Sequence, residues 1–194
     1  MFGIVGLDEA GRGPLAGPVV AAAVQLDPDL PLVDGLNDSK KISAAHRERL
    51  FDEIQQKATA VTVAEASIEE IDRINILQAS LRAMFRALQE LTCEWNMALV
   101  DGNQYIREIS GKQQMTVIGG DGLSASIAAA SIVAKVTRDR TMKNYHKQFP
   151  QWEFDRHKGY PTKRHKELIL AHGLCPIHRK SFCERLVLQM SLAI

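Results

Sequence analysis

Three apolar runs in the sequence each end in a carboxylate with a turn glycine close behind. Ile4-Val5-Gly6-Leu7 leads into Asp8-Glu9 and then Gly11; Ala98-Leu99-Val100 leads into Asp101-Gly102; Val117-Ile118 passes through Gly119-Gly120 into Asp121-Gly122. One such acid is ordinary, because aspartate favours turns and helix caps. Several at the same end of neighbouring strands are not, since converging carboxylates repel one another unless a cation neutralises them. In layered α/β folds, ligands collect at that edge of the sheet. All-oxygen donors suit Mg²⁺ or Mn²⁺ better than zinc, and two such ions could activate a water and stabilise the leaving oxygen of a phosphodiester. Asp8, Glu9, Asp101 and Asp121 are therefore candidate ligands. Consecutive residues of a strand point to opposite faces, so Asp8 and Glu9 share one site only if the strand ends early. The following Ala10-Gly11-Arg12-Gly13-Pro14 makes such an ending the expectation.

Positioning these acids requires strands that alternate with helices. Residues 3–8 and 19–26 read as buried strands around a Gly/Pro-rich turn, and a polar loop covers residues 34–41. Ser43 can cap a helix running to about Lys57, and residues 59–66 alternate like a half-buried strand. Ser67-Ile68-Glu69-Glu70 is a capping box. Beyond it, Ile71, Ile74, Leu77, Leu81, Phe85, Leu88 and Leu91 recur at helical spacing, which predicts one long amphipathic helix. Residues 97–101 and 115–118 complete five strands. Helices are expected over about 124–146, over 162–172 up to Gly173, and over 183–191. The alternation predicts an α/β layered fold, and no repeat or linker divides the 194 residues.

Charge is near balance, at +1, but unevenly spread: residues 135–185 hold thirteen Lys/Arg against five Asp/Glu, an excess of +8. A basic C-terminal third can present a phosphate-binding face on a near-neutral protein, or be a solvated helix surface. No apolar stretch is long enough for a membrane span, and the N-terminus lacks the basic region of a signal peptide. Three cysteines without a C-x-x-C pair favour reduced thiols, hence a cytoplasmic protein.

Five blocks now carry a resemblance. They are Asp8-Glu9-Ala10-Gly11-Arg12-Gly13-Pro14, Asn37-Asp38-Ser39-Lys40-Lys41, Val100-Asp101-Gly102, the stretch from Ala129-Ala130-Ser131 to Thr137-Arg138-Asp139, and His157-Lys158-Gly159-Tyr160-Pro161-Thr162. In order and spacing the chain resembles bacterial ribonuclease HII over nearly its whole length. The resemblance implies a ribonuclease H-like fold with a central five-stranded mixed sheet flanked by helices. It also implies a single catalytic domain, with residues about 160–194 as a small helical extension. Further implied are Mg²⁺- or Mn²⁺-dependent cleavage on the 5′ side of ribonucleotides, leaving 3′-hydroxyl and 5′-phosphate, and a metal site of Asp8, Glu9, Asp101 and Asp121. The implied partners are RNA–DNA hybrids and duplex DNA with single embedded ribonucleotides, and the implied role is ribonucleotide removal in DNA repair and replication. By register, Asp139 could replace Asp121; we expect Asp121, which follows an apolar strand, whereas Asp139 stands mid-helix between two arginines. Gly119-Gly120 departs from the Lys-Gly common in the family, removing a cation there.

Cutting only at ribonucleotides requires sensing the 2′-hydroxyl. By resemblance Gly11, Arg12 and Gly13 grip it, since glycines admit close backbone approach, and Tyr160 packs against the sugar. Ser39, Lys40 and Lys41 are expected to contact phosphate. The spacing His172-x-x-Cys175-x-x-His178 hints at zinc but lacks a second cysteine, and hydrogen-bonding contacts on a nucleic-acid face fit these histidines better. A P-loop ATPase is excluded by the missing lysine motif. A non-catalytic nucleic-acid-binding module is permitted by the basic third but opposed by the strand-end acids. Ribonuclease HIII normally carries an N-terminal substrate-binding domain, which a signature starting at residue 8 leaves no room for. A monomer is expected, and no sliding-clamp partner, because Gln189-Met190-Ser191-Leu192 lacks paired aromatics.

Overall fold

The computed structural model describes residues 3–30, 35–36 and 42–191. Its strands are β1 (Ile4–Ala10), β2 (Val19–Leu26), β3 (Ala58–Ala66), β4 (Met97–Asp101) and β5 (Gln114–Val117). They form one sheet of order β3-β2-β1-β4-β5, with β1–β2 and β2–β3 antiparallel and β1–β4 and β4–β5 parallel. The helices are α1 (Ala44–Lys57), α2 (Ile68–Ile74), α3 (Ile76–Gln89), α4 (Ala125–Gln148), α5 (Phe154–His157), α6 (Lys163–His172) and α7 (Lys180–Ser191). Among the described residues no helix is long and apolar enough to cross a membrane.

Both faces of the sheet are covered, which is why β2 reads as an unbroken apolar run. On one face Val5, Leu7, Ala21, Ala23, Ala98 and Val100 pack against Ala79, Ala83, Met84, Ala87 and Leu88 of α3. On the other, Ala10, Ala22 and Val24 meet α1 through Leu50 and Ile54, and α4 through Ala129, Ala130, Ile132 and Val133. Small residues let α4 lie directly on β1. A Cβ on Gly6 would stand 2.1 Å from the carbonyl carbon of Ser126. A third cluster joins Leu15 and Ala16 to Met142, Trp152, Phe154, Leu168, Ile169, Cys175, Ile177 and Cys183, seating the C-terminal helices beside the turn that follows β1.

The local signals behave as their chemistry dictates. The Ser43 side chain accepts from the His46 amide, and Ser67 and Glu70 form the reciprocal capping box. The long amphipathic helix expected after it is instead two helices. Asn75 takes φ +67°, ends α2, and caps α3 by accepting from the Gln78 amide at 3.1 Å. Asparagine tolerates this turn better than other non-glycine residues, and the apolar face continues across the break, so periodicity alone conceals it.

Candidate active site

Asp8 and Asp101 come together through strand register. Gly6 pairs with Leu99 in the parallel β1–β4 ladder, so two residues further on Asp8 and Asp101 lie side by side on the face covered by α4. Asp8 is buried, at 5% exposure, and its Oδ1 accepts from the Glu9 amide at 2.6 Å. Burial pushes its carboxyl well above the ordinary range; the charges of Glu9 and Asp101 add to the rise, and a hydrogen bond with Ser131 of α4 opposes it.

The early end of β1 does not occur. The ladder with β2 continues through Asp8↔Ala22 and Glu9↔Ala21 to Ala10↔Val20, because β2 supplies backbone partners that local sequence does not display. Alternation therefore turns Glu9 away from Asp8, and its Oε1 lies 3.3 Å from the Arg12 guanidinium. Its charge still acts on Asp8, so the two acids remain electrostatically one unit despite opposite facing.

Asp101 closes β4, with Gly102 at φ +102° turning the chain away. Its Oδ1 accepts from the Gly120 amide at 2.7 Å. A Cβ on Gly120 would meet Ile127 at 2.5 Å and that same oxygen at 3.2 Å, so glycine permits this close approach. Asp121 follows within the single 3-10 turn Gly120–Gly122 that leads into α4, and is half-buried. The β4 carboxylate and the turn bearing Asp121 are thus tied by one hydrogen bond. Asp139 lies eight residues beyond Ser131 on the same helix, about 12 Å along its axis. It pairs with Lys135 at 2.6 Å, the ordinary role for a mid-helix acid.

Among the described residues, no group of three His, Cys, Asp or Glu side chains is gathered closely enough to hold a metal ion. The donor chemistry nevertheless fits a hard divalent cation: oxygen ligands only, with a buried carboxylate pressed by two like charges that a cation would relieve.

Beside these acids stands the Gly11-Arg12-Gly13 turn. Gly11 has φ +106°, and a Cβ there would lie 2.1 Å from Arg138 Nε, so only glycine fits. Tyr160 is 37% exposed, and its ring edge lies 4.0 Å from where a Gly13 Cβ would stand. Lys135 and Arg138 flank the ring at 5.7 and 5.8 Å from its centre. Lys135, Lys143, Arg156 and Lys158 line one groove with Tyr160, a cationic surface next to the turn. A cavity of about 720 Å³ lies elsewhere, lined by Gly3, Ile4, Leu99 and Ser124 at the opposite end of β1. Ser39, Lys40 and Lys41 lie outside the described residues, as does Leu192 of the clamp-motif comparison.

Two residues that sequence reasoning passed over hold this region. Arg138 and Arg179 are both fully buried, and their guanidiniums donate to backbone carbonyls rather than to carboxylates. Arg138 reaches Ala16, Pro18 and Lys158, each at 3.0 Å. Arg179 donates to Gly11 at 2.6 Å, to Pro14 and Gly17 at 2.9 Å, to Arg12 at 3.1 Å and to Pro18 at 3.3 Å. Burial, with the neighbouring Arg138 charge, pulls Arg179 down to about 9. In sequence these arginines look like the solvated cations around them, and nothing local marks them as interior.

The histidines also differ from expectation. Cys175 and His178 do meet, at 3.1 Å, but the next partner is His165, not His172. His165 and His178 are buried, and burial brings them to about 3 and about 4, so they are neutral core groups and not contacts on a nucleic-acid face.

A mixed sheet of this order, covered on both faces, with acids where β1 and β4 meet, is the ribonuclease H-like fold. Ribonuclease H2 of Pyrococcus horikoshii superposes on it with a TM-score of 0.76 at 25% identity, covering 97% of this chain and 98% of that one. Bst-RNase HIII, solved in complex with Mn²⁺, shares the fold at TM-score 0.78 and 16% identity, over 98% of this chain and 71% of the other. The family model Ribonuclease HII matches residues 5–185, and ribonuclease HII of Delftia acidovorans is 55% identical over 92% of this chain and 75% of its own length. The chain belongs to the ribonuclease HII family, and as such is a ribonuclease H hydrolase.

Proposed function

We propose that this protein hydrolyses the phosphodiester on the 5′ side of ribonucleotides, in RNA–DNA hybrids and at single ribonucleotides in duplex DNA. The observation that carries the reading is the buried Asp8, set against the charges of Glu9 and Asp101, with the Gly11-Arg12-Gly13 turn directly after β1. Asp8, Asp101 and Asp121 would hold the metal, Mg²⁺ or Mn²⁺, and Glu9, whose charge already reaches Asp8, would join them by leaving its ion pair with Arg12. Bound there, such ions would supply Lewis-acid chemistry, activation of a water and stabilisation of the leaving oxygen.

The protein's own part is selection and alignment. Gly13 is exposed and leaves its backbone open to a sugar, Gly11 lets the turn close over Arg138, and the Tyr160 ring beside Gly13 offers a flat apolar surface for the ribose. Arg12 lies 3.3 Å from Glu9, so one exposed ion pair links the turn to the acids. The groove of Lys135, Lys143, Arg156 and Lys158 would track the phosphates, with Ser39 and Lys40 adding contacts from their loop. Residues from about 160 onward act as a helical extension of one catalytic domain. The enzyme would serve ribonucleotide removal from DNA in the cytoplasm.

Metal-dependent scission by wild type, Asp8→Asn, Asp121→Asn and Asp139→Asn tests this assignment. Mg²⁺ or Mn²⁺ should be required, and Asp8→Asn and Asp121→Asn should each lose more than about a hundredfold in rate. Activity in chelator, or loss confined to Asp139→Asn, would overturn it.

A further inference from the structure

The segment 175–179, between α6 and α7, touches both sides of the ribose-reading surface. Its backbone binds the turn after β1: the Gly17 amide donates to the Ile177 carbonyl and the Arg179 amide to the Leu15 carbonyl, each at 2.8 Å. Its Arg179 side chain then gathers the carbonyls of Gly11, Arg12, Pro14, Gly17 and Pro18. Five carbonyls around one guanidinium match its five donors, and no other side chain could satisfy them from a single point.

The same segment reaches Tyr160 by a different route. The Cys175 amide donates to His178 Nδ1 at 2.9 Å, so that nitrogen carries no proton. A neutral His178 then has its proton on Nε2, which faces His165 Nε2 at 3.1 Å. His165 accepts there and must carry its own proton on Nδ1, which donates to the Tyr160 carbonyl at 3.0 Å. Both rings are neutral in the interior, as this pairing requires. The Cys175 thiol, 3.1 Å from the same Nδ1, can only donate to it, so the chain runs one way.

We propose that residues 175–179 set ribose specificity: Arg179 fixes the Gly11-Arg12-Gly13 turn, and the His178–His165 relay fixes Tyr160, holding the two halves of the 2′-hydroxyl pocket at one separation. His178, His165 and Arg179 are positioning residues that act through groups which touch the sugar. The proposal rests on the reading of the site given above. A single embedded ribonucleotide offers one productive register, so a mis-set pocket misses it. A continuous hybrid offers a 2′-hydroxyl at every step and tolerates the error better.

The test compares steady-state cleavage of a duplex holding one ribonucleotide with that of an RNA–DNA hybrid, for wild type, Arg179→Lys, His178→Asn, Tyr160→Ala and the His178→Asn/Tyr160→Ala double variant. Asparagine keeps an acceptor near the Nδ1 position of His178 and removes the link to His165. Each single variant should lose about tenfold or more in kcat on the single ribonucleotide, hold KM within about twofold, and lose far less on the hybrid. The double variant should fall no further than Tyr160→Ala. Equal fractional loss on both substrates is what a smaller folded population produces, and it would overturn the proposal; so would additive losses in the double variant. Should the variants not fold, ¹⁵N NMR of the wild-type imidazoles decides it: protons on His165 Nδ1 and His178 Nε2 support the relay, and either opposite tautomer sinks it. A wild type that cuts neither substrate refutes the reading of the site itself, whereas one that cuts both while its variants lose both equally refutes only this proposal.

Discussion

Replacing Asp8 by asparagine should make the metal-free protein more stable while destroying its activity. Asp8 is 5% exposed and carries a charge that burial, Glu9 and Asp101 all oppose. Asparagine has the same shape, its Oδ1 can still accept from the Glu9 amide, and Ser131 can rotate to serve the new amide. Removing one repelled, buried charge at constant volume falls among changes that gain about 1–2 kcal/mol. For a chain of 194 residues that is a rise in melting temperature of about 2–8 °C. The pH dependence has a definite sign. A carboxyl raised above its unfolded value of about 3.9 costs nothing below that pH and progressively more as pH rises through its folded value. The gap between variant and wild type should therefore open from acid toward neutral pH. Melting curves in chelator from pH 4 to 8 read this directly. Adding Mg²⁺ or Mn²⁺ should then stabilise the wild type by about 2.7 kcal/mol at a hundred times its dissociation constant, and the variant by less. A variant that melts below wild type in chelator at neutral pH, or a gap that ignores pH, would refute the reasoning.

Other outcomes follow from the same contacts. Gly6→Ala would put a Cβ 2.1 Å from the Ser126 carbonyl carbon, so α4 must move off β1; a denaturant melt should show a loss of about 3 kcal/mol or more. Glu70 accepts from both Arg86 nitrogens at 2.6 and 2.9 Å, which holds its carboxyl at about 2. With Arg86 38% exposed, screening discounts that shift to about 1–2 kcal/mol, present above the unfolded value and lost as pH falls from about 4.5 toward 2. Glu70→Gln should cost this amount at pH 7 and nothing near pH 2, by urea melts. Buried His165 and His178, at about 3 and about 4, bind protons more weakly than when unfolded. Their contribution is complete above about pH 6.5 and falls as pH drops toward 4, so acid melts should show a loss that His178→Asn reduces.

What the sequence made legible is what short-range chemistry writes. The caps at Ser43 and Ser67, the apolar strands and Asp101 at the end of β4 all depend on neighbours within a few residues, and each stands where expected. Asp121 and Asp139 also stand in the local settings expected of them, one in a strand-to-helix turn and the other in an i,i+4 ion pair. The length of β1 was not legible, because its last residues are held by β2, ten and more positions away. Nor was the burial of Arg138 and Arg179, whose partners, Lys158 apart, are carbonyls more than a hundred residues off. The break at Asn75 and the His165–His178 pair escaped for related reasons. Apolar periodicity runs through the first, and tertiary folding alone creates the second.

On the function proposed above, a ribose read beside metal-binding acids decides where the backbone is cut. Two otherwise identical duplexes, one with a single ribonucleotide and one with deoxyribonucleotide at that position, test it most directly. With Mg²⁺ or Mn²⁺, only the first should be cut, on the 5′ side of the ribonucleotide, leaving a 3′-hydroxyl and a 5′-phosphate. Cutting of both duplexes, or a 2′,3′-cyclic phosphate formed without metal, would contradict it.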